Sequence, residues 1–252
     1  MSNTTPSPEE RRAATEAARQ QARAVTDRMQ SRDKKTRIVV VAVVFALIVA
    51  LVAVISVMFK GEQEKNSVAP ANVSAEYTIP IPGGEGAGKS VPVVVYQDYN
   101  CPGCAGFHAN YDEKMAELVE DNTIDLSYHN VSILDNAAAG RDGSIRAAQA
   151  AACVVNEDPE AFSEFNSTLF QDQRPNHEGM SNAELTGYAD RVGVDISSCL
   201  DSEVYKPWAL KAHSAGSAKI ESTPSVTVNG EMVEDLNKLE DVIESAHEEL
   251  NS

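Results

Sequence analysis

The longest apolar stretch of the chain lies near its N-terminus and covers residues 38–59. Ser56 is its only clearly polar side chain, so the stretch lacks the polar face of a soluble surface helix. A helix of 22 residues rises about 33 Å, enough to cross a hydrocarbon core of about 30 Å. The pattern predicts a transmembrane helix over residues 38–59.

A cleaved signal peptide is the alternative interpretation of this stretch. Signal peptides usually have an apolar region of about 7–15 residues followed by small residues at the cleavage site. Here the stretch is longer, 37 residues precede it, and Val57-Met58-Phe59-Lys60 is a poor cleavage site. We therefore expect an uncleaved signal-anchor. No Cys follows the stretch closely, which argues against a lipoprotein.

Downstream of a polar, aperiodic linker over residues 60–75, the pattern changes to that of one α/β domain over residues 76–250. Strands are predicted over 75–81, 90–98 and 123–132, with a helix over 101–120. Helices over 144–155, 159–170, 181–192 and 203–220 form an insertion at about 137–220. Asn229-Gly230 predicts a hairpin between strands over 225–228 and 231–233, and a helix follows over 236–250.

Charge divides the chain in the same place as hydropathy. Residues 1–37 have nine Lys or Arg and five Asp or Glu, a net charge of +4. The remainder of the chain has a net charge of −21, which gives −17 for the whole. The positive-inside rule therefore predicts that residues 1–37 are a basic cytoplasmic tail and that residues 60–252 lie outside the cell membrane. The acidity of the exported part argues against nucleic acid as a partner.

All four cysteines lie in the exported part, where an even number favours disulfides over free thiols. Cys101 and Cys104 form a C-x-x-C motif directly after a predicted strand and at the start of a predicted helix. Helix N-termini stabilise thiolates and lower a thiol pKa to roughly 3.5–7.5. We therefore predict that Cys101 is the nucleophile of thiol–disulfide exchange and that Cys104 resolves the mixed disulfide.

Other uses of the motif fit the spacing less well. A c-type haem site needs His directly after the second Cys, where Ala105 stands. A zinc site needs a second close pair, and we expect neither a metal nor a cofactor. Zinc held by Cys101, Cys104 and His108, or a purely structural disulfide, remain as alternatives.

The sequence YQDYNCPGCAGFH (residues 96–108), the helical insertion and Ser222-Thr223-Pro224-Ser225 together resemble the DsbA family, in its membrane-anchored Gram-positive form. The resemblance covers roughly residues 75–250. It implies a thioredoxin fold with an inserted α-helical domain, preceded by one transmembrane helix. It also implies that Pro224 is a cis-proline facing the redox pair and that Thr223 offers backbone hydrogen bonds to a bound peptide.

Two departures from the family concern the surroundings of the motif. After Pro102 the chain has Gly103 where many relatives have His, and it has Val95 where thioredoxin-like proteins often have a buried acid. Asp98 is a candidate proton relay, with a solvated residue at a strand end as the alternative. His108 is a candidate for tuning the site, with a partly buried helix residue as the alternative.

The second cysteine pair is predicted to be structural. Cys153 and Cys199 both fall on helical segments of the insertion, 46 residues apart. We predict a disulfide between them that connects two helices.

Residues 83–90 match the G-x-x-x-x-G-K-[ST] pattern of a phosphate-binding loop. Such a loop leads into a helix whose N-terminus holds phosphate, but here Pro80 and Pro82 precede it and a predicted strand follows. We therefore expect a flexible connection between strands and no nucleotide binding.

The leading hypothesis is a membrane-anchored extracytoplasmic oxidase that introduces disulfides into reduced exported proteins through Cys101 and Cys104. The resemblance implies reoxidation by a quinone-linked membrane enzyme of the DsbB or vitamin K epoxide reductase type. The alternatives are a reductase or isomerase of a specific pathway, and a non-catalytic interaction domain with an inert disulfide. The direction of electron flow depends on the reduction potential.

Overall fold

The computed structural model describes residues 45, 48–51, 68–83, 89–135, 141–173 and 179–252. The chain divides into two units, Met1–Lys65 and Asn66–Ser252. In the first unit, Phe45 and residues 48–51 are helical and exposed. The predicted tail over 1–37, the rest of the predicted span over 38–59, and residues 60–67 of the linker lie outside the described residues. Among the helices that are described, none is long and apolar enough to cross a membrane.

The second unit is built on a five-stranded mixed sheet with the strand order β1-β3-β2-β4-β5. Strands β2 and β3 run parallel, whereas β1 pairs antiparallel with β3, β4 with β2, and β5 with β4. The strands are β1 (Ile79–Pro80), β2 (Val91–Gln97), β3 (Ile124–Asn130), β4 (Ser225–Val228) and β5 (Glu231–Met232).

Strand β2 lies in the middle of the sheet because its side chains are apolar and buried. Val91, Val93 and Val95 on one face of the strand are at most 1% exposed, and Tyr96 on the other face is 5% exposed, so the second half of β2 is covered on both faces. Parallel pairing with β3 requires a crossover, which helix α1 (Pro102–Glu120) provides. The end of β2 therefore leads directly into the C-x-x-C motif.

The hairpin between β4 and β5 turns at Asn229 and Gly230, as predicted. Their φ angles are +51° and +86°, the left-handed conformations that a two-residue type I′ turn requires. Glycine adopts them at no steric cost, and Asn tolerates them better than other side chains.

The helical insertion lies between β3 and β4 and is organised around one buried helix. The Ala-rich helix α2 contacts each of the other helices of the insertion, and its small side chains allow close approach. The insertion contains α2 (Gly143–Glu157), α3 (Phe162–Gln171), α4 (Asn182–Arg191), α5 (Ser197–Asp201) and α6 (Lys206–Ser217). The expected α/β plan with a helical insertion is confirmed.

The insertion differs from the prediction at its C-terminal end. The helix predicted over 203–220 is shorter, because Glu203 has a φ of +51° that no helix interior accommodates, and α6 begins at Lys206 with a Pro in its first turn. The short helix α5 was not predicted, since five residues carry too little periodicity.

The last predicted helix is divided in two. A 3-10 turn over Leu236–Lys238 precedes helix α7 (Leu239–Asn251). Leu239 and Ile243 are buried, and α7 packs against β2 and β4. Helix α7 therefore covers the sheet at β2, the strand that leads to the cysteine motif.

Candidate active site

Cys101 occupies the N-cap of α1, directly after β2 and a short turn. Its extended backbone (φ −88°, ψ 116°) ends the loop, and Pro102 follows at the first helical position, where a missing N–H leaves no hydrogen bond unmade. The Cys101 thiol lies 3.3 Å from the carbonyl oxygen of Thr223, to which it donates. Cys104 lies one turn further along α1 and is fully buried.

The two thiols differ strongly in acidity because the hydrogen bond between them stabilises a thiolate on Cys101 and a protonated thiol on Cys104. A hydrogen bond from Cys104 is the main cause that lowers the pKa of Cys101 to about 5, with further help from the Thr223 side chain and from backbone N–H groups of Gly103 and Cys104. The same hydrogen bond, together with burial and the nearby negative charge, raises the pKa of Cys104 far above its ordinary value. In the reduced protein at neutral pH, Cys101 is therefore a thiolate and Cys104 a thiol.

The loop before β4 faces the nucleophile. The Thr223–Pro224 peptide bond is cis, and Thr223 and Pro224 are partly exposed. A Cβ atom placed on Gly103 would lie 3.1 Å from Pro224 Cδ and 3.6 Å from the Thr223 oxygen. Gly103 therefore packs against the Thr223–Pro224 loop, and a larger side chain there needs one of the two to move.

Asp98 is fully buried at the end of β2 and holds three segments together. Its Oδ1 accepts from Asn100 N at 2.8 Å and from Ser144 Oγ at 2.5 Å, and its Oδ2 accepts from Leu134 N at 2.9 Å. The predicted alternative of a solvated strand-end residue is wrong. The geometry makes Asp98 an anchor that joins the cysteine loop to the start of α2.

His108 lies in the second turn of α1, and its side chain is buried in the core. Its Nδ1 is 2.6 Å from Asp112 Oδ1 and its Nε2 is 2.8 Å from Gln97 Oε1. Its ring stacks on Phe170 with the centroids 4.0 Å apart. Both ring nitrogens are thereby occupied, so His108 joins α1 to β2 and is not available to share a zinc ion with the two cysteines.

Sequence reasoning missed a buried polar network beside the motif. Gln97 Nε2 donates to Asn130 Oδ1 at 2.8 Å and to Asn166 Oδ1 at 2.7 Å. Asn166 Oδ1 also accepts from the Tyr99 hydroxyl at 2.7 Å. In the sequence, the sign of this network is that two amide residues, Gln97 and Asn130, lie near the ends of predicted strands at positions expected to be buried. It connects β2, β3 and α3 directly below the loop that carries the nucleophile.

Cys153 and Cys199 form a disulfide that joins α2 to α5, with Cα atoms 6.0 Å apart. Cys153 is fully buried within the insertion. This bond therefore fastens the short helix α5 to the most buried helix of the insertion.

The glycine-rich segment does not have the structure of a phosphate-binding loop at its C-terminal end. Strand β2 begins at Val91, where such a loop needs a helix N-terminus. The backbone of Lys89 exchanges hydrogen bonds with the Asn251 side chain at the end of α7. Residues 84–88 lie outside the described part of the chain.

Over the part of the chain that the structure describes, no group of three or more His, Cys, Asp or Glu residues is arranged to hold a metal ion.

A family model described as thioredoxin matches residues 83–245, which is more than half of the chain. The matched region includes the C-x-x-C motif, the helical insertion and the Thr223–Pro224 loop.

Relatives and solved structures of the same kind come from several bacteria. The chain is 31% identical over 125 residues to the serine/threonine-protein kinase PknE of Mycobacterium tuberculosis, a match that covers 46% of this chain and only 22% of the kinase. It is 25% identical over 167 residues to disulfide bond formation protein D of Bacillus subtilis, covering 64% of this chain and 72% of that protein. The reduced disulfide bond oxidoreductase DsbG of Mycobacterium tuberculosis superposes with a TM-score of 0.58 at 27% identity, covering 71% of this chain and 97% of that structure.

Proposed function

Because the chain belongs to the DsbA family of thioredoxin-fold proteins, we propose that it is a thiol:disulfide oxidoreductase that introduces disulfides into exported proteins. Cys101 and Cys104 are the redox pair in this proposal. The observation that carries it is the placement of Cys101 at the N-cap of α1, where its pKa is lowered to about 5.

A stabilised Cys101 thiolate favours oxidation of the substrate for a simple reason. Thiol–disulfide exchange proceeds fastest when the departing thiol has a low pKa. The same stabilisation favours the reduced enzyme at equilibrium, so the Cys101–Cys104 disulfide readily accepts electrons. The buried Cys104, whose pKa is raised, is protonated in the reduced enzyme, so it attacks a mixed disulfide on Cys101 more slowly than an ionised substrate thiol does.

The reaction has two exchange steps. A substrate thiolate attacks the sulfur of Cys101, which forms a mixed disulfide and releases Cys104, and Cys104 takes up a proton. A second substrate thiolate then attacks the substrate's own sulfur in that mixed disulfide, which forms the product disulfide and releases Cys101 as a thiolate. The substrate loses two electrons, and the enzyme is left as the dithiol.

The partners follow from this electron balance. Reduced exported polypeptides bind along the Thr223–Pro224 loop, which is partly exposed and lies beside the nucleophile. A membrane enzyme of the DsbB or vitamin K epoxide reductase type removes the two electrons and passes them to a quinone. This partner is proposed from the family resemblance.

Membrane anchoring is part of the proposal and rests mainly on the apolar stretch over residues 38–59 and the basic residues before it. The described side chains of the stretch fit an anchor, since Phe45, Ile48, Val49 and Leu51 are each more than half exposed. In this arrangement residues 1–37 are cytoplasmic and residues 60–252 lie outside the membrane. We expect the full chain to stay with membranes in high salt and to be released by detergent. Recovery of a shortened, salt-soluble chain argues for cleavage instead.

The test of the catalytic proposal is oxidation of a reduced, unfolded ribonuclease by the full chain in detergent. We expect the oxidised protein to form ribonuclease disulfides and to be reduced stoichiometrically, whereas Cys101→Ala is inactive. Reduction of insulin disulfides without oxidation of ribonuclease identifies a reductase. An absence of both activities, with a folded protein, identifies an interaction domain and contradicts the proposal.

A further inference from the structure

The side chain of Gln173 connects the helical insertion to the backbone of the nucleophile. This residue follows the end of α3, and its Nε2 lies 2.9 Å from the carbonyl oxygen of Tyr99 and 2.9 Å from that of Cys101. A side-chain amide nitrogen carries two N–H groups and accepts nothing. Gln173 therefore donates one hydrogen bond to each carbonyl.

These two carbonyls flank the backbone that directs the Cys101 side chain. The Tyr99 carbonyl belongs to the turn that Cys101 N closes on Asp98 O at 2.9 Å. The Cys101 carbonyl begins the hydrogen-bond ladder of α1 by accepting from Ala105 N at 3.1 Å. By holding both, Gln173 fixes the peptide units on either side of the Asn100–Cys101 segment.

The position of this backbone matters for the thiol because the acidity of Cys101 depends on close hydrogen bonds. The groups that stabilise the thiolate are the Cys104 and Thr223 side chains and the backbone N–H groups of Gly103 and Cys104 in the first turn of α1. Hydrogen bonds weaken steeply when distance or angle departs from the optimum. A small rotation of the Cys101 backbone therefore removes stabilisation from the thiolate.

The Gln173 amide also acts on charge. Each carbonyl oxygen carries a partial negative charge, and one of them belongs to the same residue as the thiolate. The two N–H groups of Gln173 offset those charges. Without them, the negative partial charges near the Cys101 residue are less compensated, which disfavours a further negative charge on its sulfur.

We propose that Gln173 is a positioning residue that holds Cys101 in the orientation needed for thiol–disulfide exchange, so that the helical insertion sets the reactivity of the C-x-x-C motif. This rests on the proposed function as far as catalysis is concerned. The effect on the Cys101 thiolate does not depend on any substrate.

The test compares Gln173→Met with Gln171→Met in the full chain. Met keeps much of the side-chain volume and removes both donors, and Gln171 is the exposed last residue of α3. Thiolate absorbance and the pH dependence of iodoacetamide labelling report the pKa of Cys101. In Gln173→Met we expect this pKa to rise by about 0.5 to 1 and ribonuclease oxidation to slow by about threefold to tenfold. Gln171→Met is expected to match the unchanged protein in both.

The opposing outcome is a Cys101 pKa that is equal in Gln173→Met and Gln171→Met, with only the unfolding midpoint lowered. That result assigns Gln173 a structural role and overturns the inference. If Gln173→Met does not fold, Gln173→Glu replaces it, because it keeps the shape and sets a carboxylate against the two carbonyls. A larger rise in the Cys101 pKa is then expected, and an unchanged value again contradicts the inference.

Failure of the proposed function is recognised separately. A chain that oxidises no substrate but shows the Gln173-dependent rise in the Cys101 pKa retains the positioning role and loses the oxidase proposal. A chain that oxidises ribonuclease with an unchanged Cys101 pKa in Gln173→Met retains the oxidase proposal and loses the positioning role.

Discussion

The two cysteine pairs of this chain have the same side chains and opposite surroundings. Cys101 and Cys104 are separated by two residues at the N-terminus of a helix, and they do not form a disulfide with each other. Cys153 and Cys199 are separated by 46 residues, and they join two helices of the insertion in a disulfide. The first pair meets the partly exposed Thr223–Pro224 loop, whereas the second lies within the helical insertion, with Cys153 fully buried and Cys199 half-buried.

The difference shows what makes a cysteine pair reactive or inert. A helix N-terminus and a neighbouring thiol stabilise one thiolate, which makes the bond easy to break and re-form. A long closed loop has the reverse effect, because reduction of that bond releases chain entropy only when the protein unfolds. The spacing of the cysteines in the sequence distinguishes the two pairs, and their positions in the fold explain why one is reactive and the other structural.

The largest expected effect concerns trapping of a substrate. In Cys104→Ala, a substrate mixed disulfide on Cys101 cannot be resolved by the neighbouring thiol, so it accumulates. Non-reducing electrophoresis with a single-cysteine peptide disulfide should show nearly complete capture by Cys104→Ala. The matched Cys199→Ala variant, which leaves Cys153 buried, should capture little peptide there. Equal capture by both variants removes the distinction between the pairs.

The second prediction concerns the structural pair and global stability. Replacing both Cys153 and Cys199 by Ala opens a loop of 46 residues and lowers the free energy of unfolding by about 4 kcal/mol in the chain-entropy model. Urea unfolding measures this difference. The folded double variant should still oxidise ribonuclease at a rate close to that of the unchanged protein. A change below about 1 kcal/mol contradicts a stabilising role.

The third prediction separates two roles for Asp98. Asp98→Asn sets an amide donor against groups that themselves donate, which leaves a buried donor unpaired and lowers the free energy of unfolding by about 2 kcal/mol. The matched control is Asp195→Asn. Asp195 accepts from Ser197 in the same way but is exposed near the structural disulfide, so we expect a change within about 0.5 kcal/mol.

Kinetics of the same variant test the proton relay. An anchor predicts that Asp98→Asn slows ribonuclease oxidation only as far as it disturbs the fold. A relay predicts a large loss of rate with stability unchanged, and that outcome restores the relay hypothesis.

The smallest expected effect is a dependence of stability on pH that only the reduced motif confers. The pKa of Cys101 is lower in the folded protein than in the unfolded chain, so deprotonation stabilises the fold. This contribution is fully present above the ordinary thiol pKa of about 8.5 and is lost as the pH falls through about 5.

The measurement compares reduced and oxidised protein between about pH 4 and pH 7.5, below the range in which an unfolded Cys104 ionises. A folded pKa of about 5 corresponds to at most about 3 kcal/mol across this range. Solvent screening at the partly exposed motif reduces this, so the reduced form should lose about 1 kcal/mol relative to the oxidised form as the pH falls. Cys101→Ala serves as the control and should lose the dependence. A reduced form that instead gains stability at low pH contradicts a lowered Cys101 pKa.

Some of this architecture follows from local sequence patterns. The Val-rich run predicts β2, the Asn-Gly pair predicts the hairpin, and a helix directly after a buried strand places Cys101 at an N-cap. Each of these features depends on a few adjacent residues. The cis Thr223–Pro224 bond was expected from the family resemblance only, because a proline in isolation is mostly trans.

Other features depend on contacts between distant segments, which local patterns do not encode. Gln173 lies beyond the end of α3 with no periodicity to mark it, yet it reaches the carbonyls of Tyr99 and Cys101 across more than 70 residues of sequence. Asp98 and His108 were recognised as candidates, but their partners come from other elements of the fold. Their roles as anchors depend on how the insertion and the sheet pack together.

The most direct test is the reduction potential of each cysteine pair, measured in the same full-length protein by equilibration with glutathione buffers and mass spectrometry. We expect a Cys101–Cys104 potential above about −180 mV, within the range of strong oxidants, and a Cys153–Cys199 potential below about −300 mV. A Cys101–Cys104 potential of about −270 mV or lower contradicts the proposed oxidase and identifies the pair as a reductant.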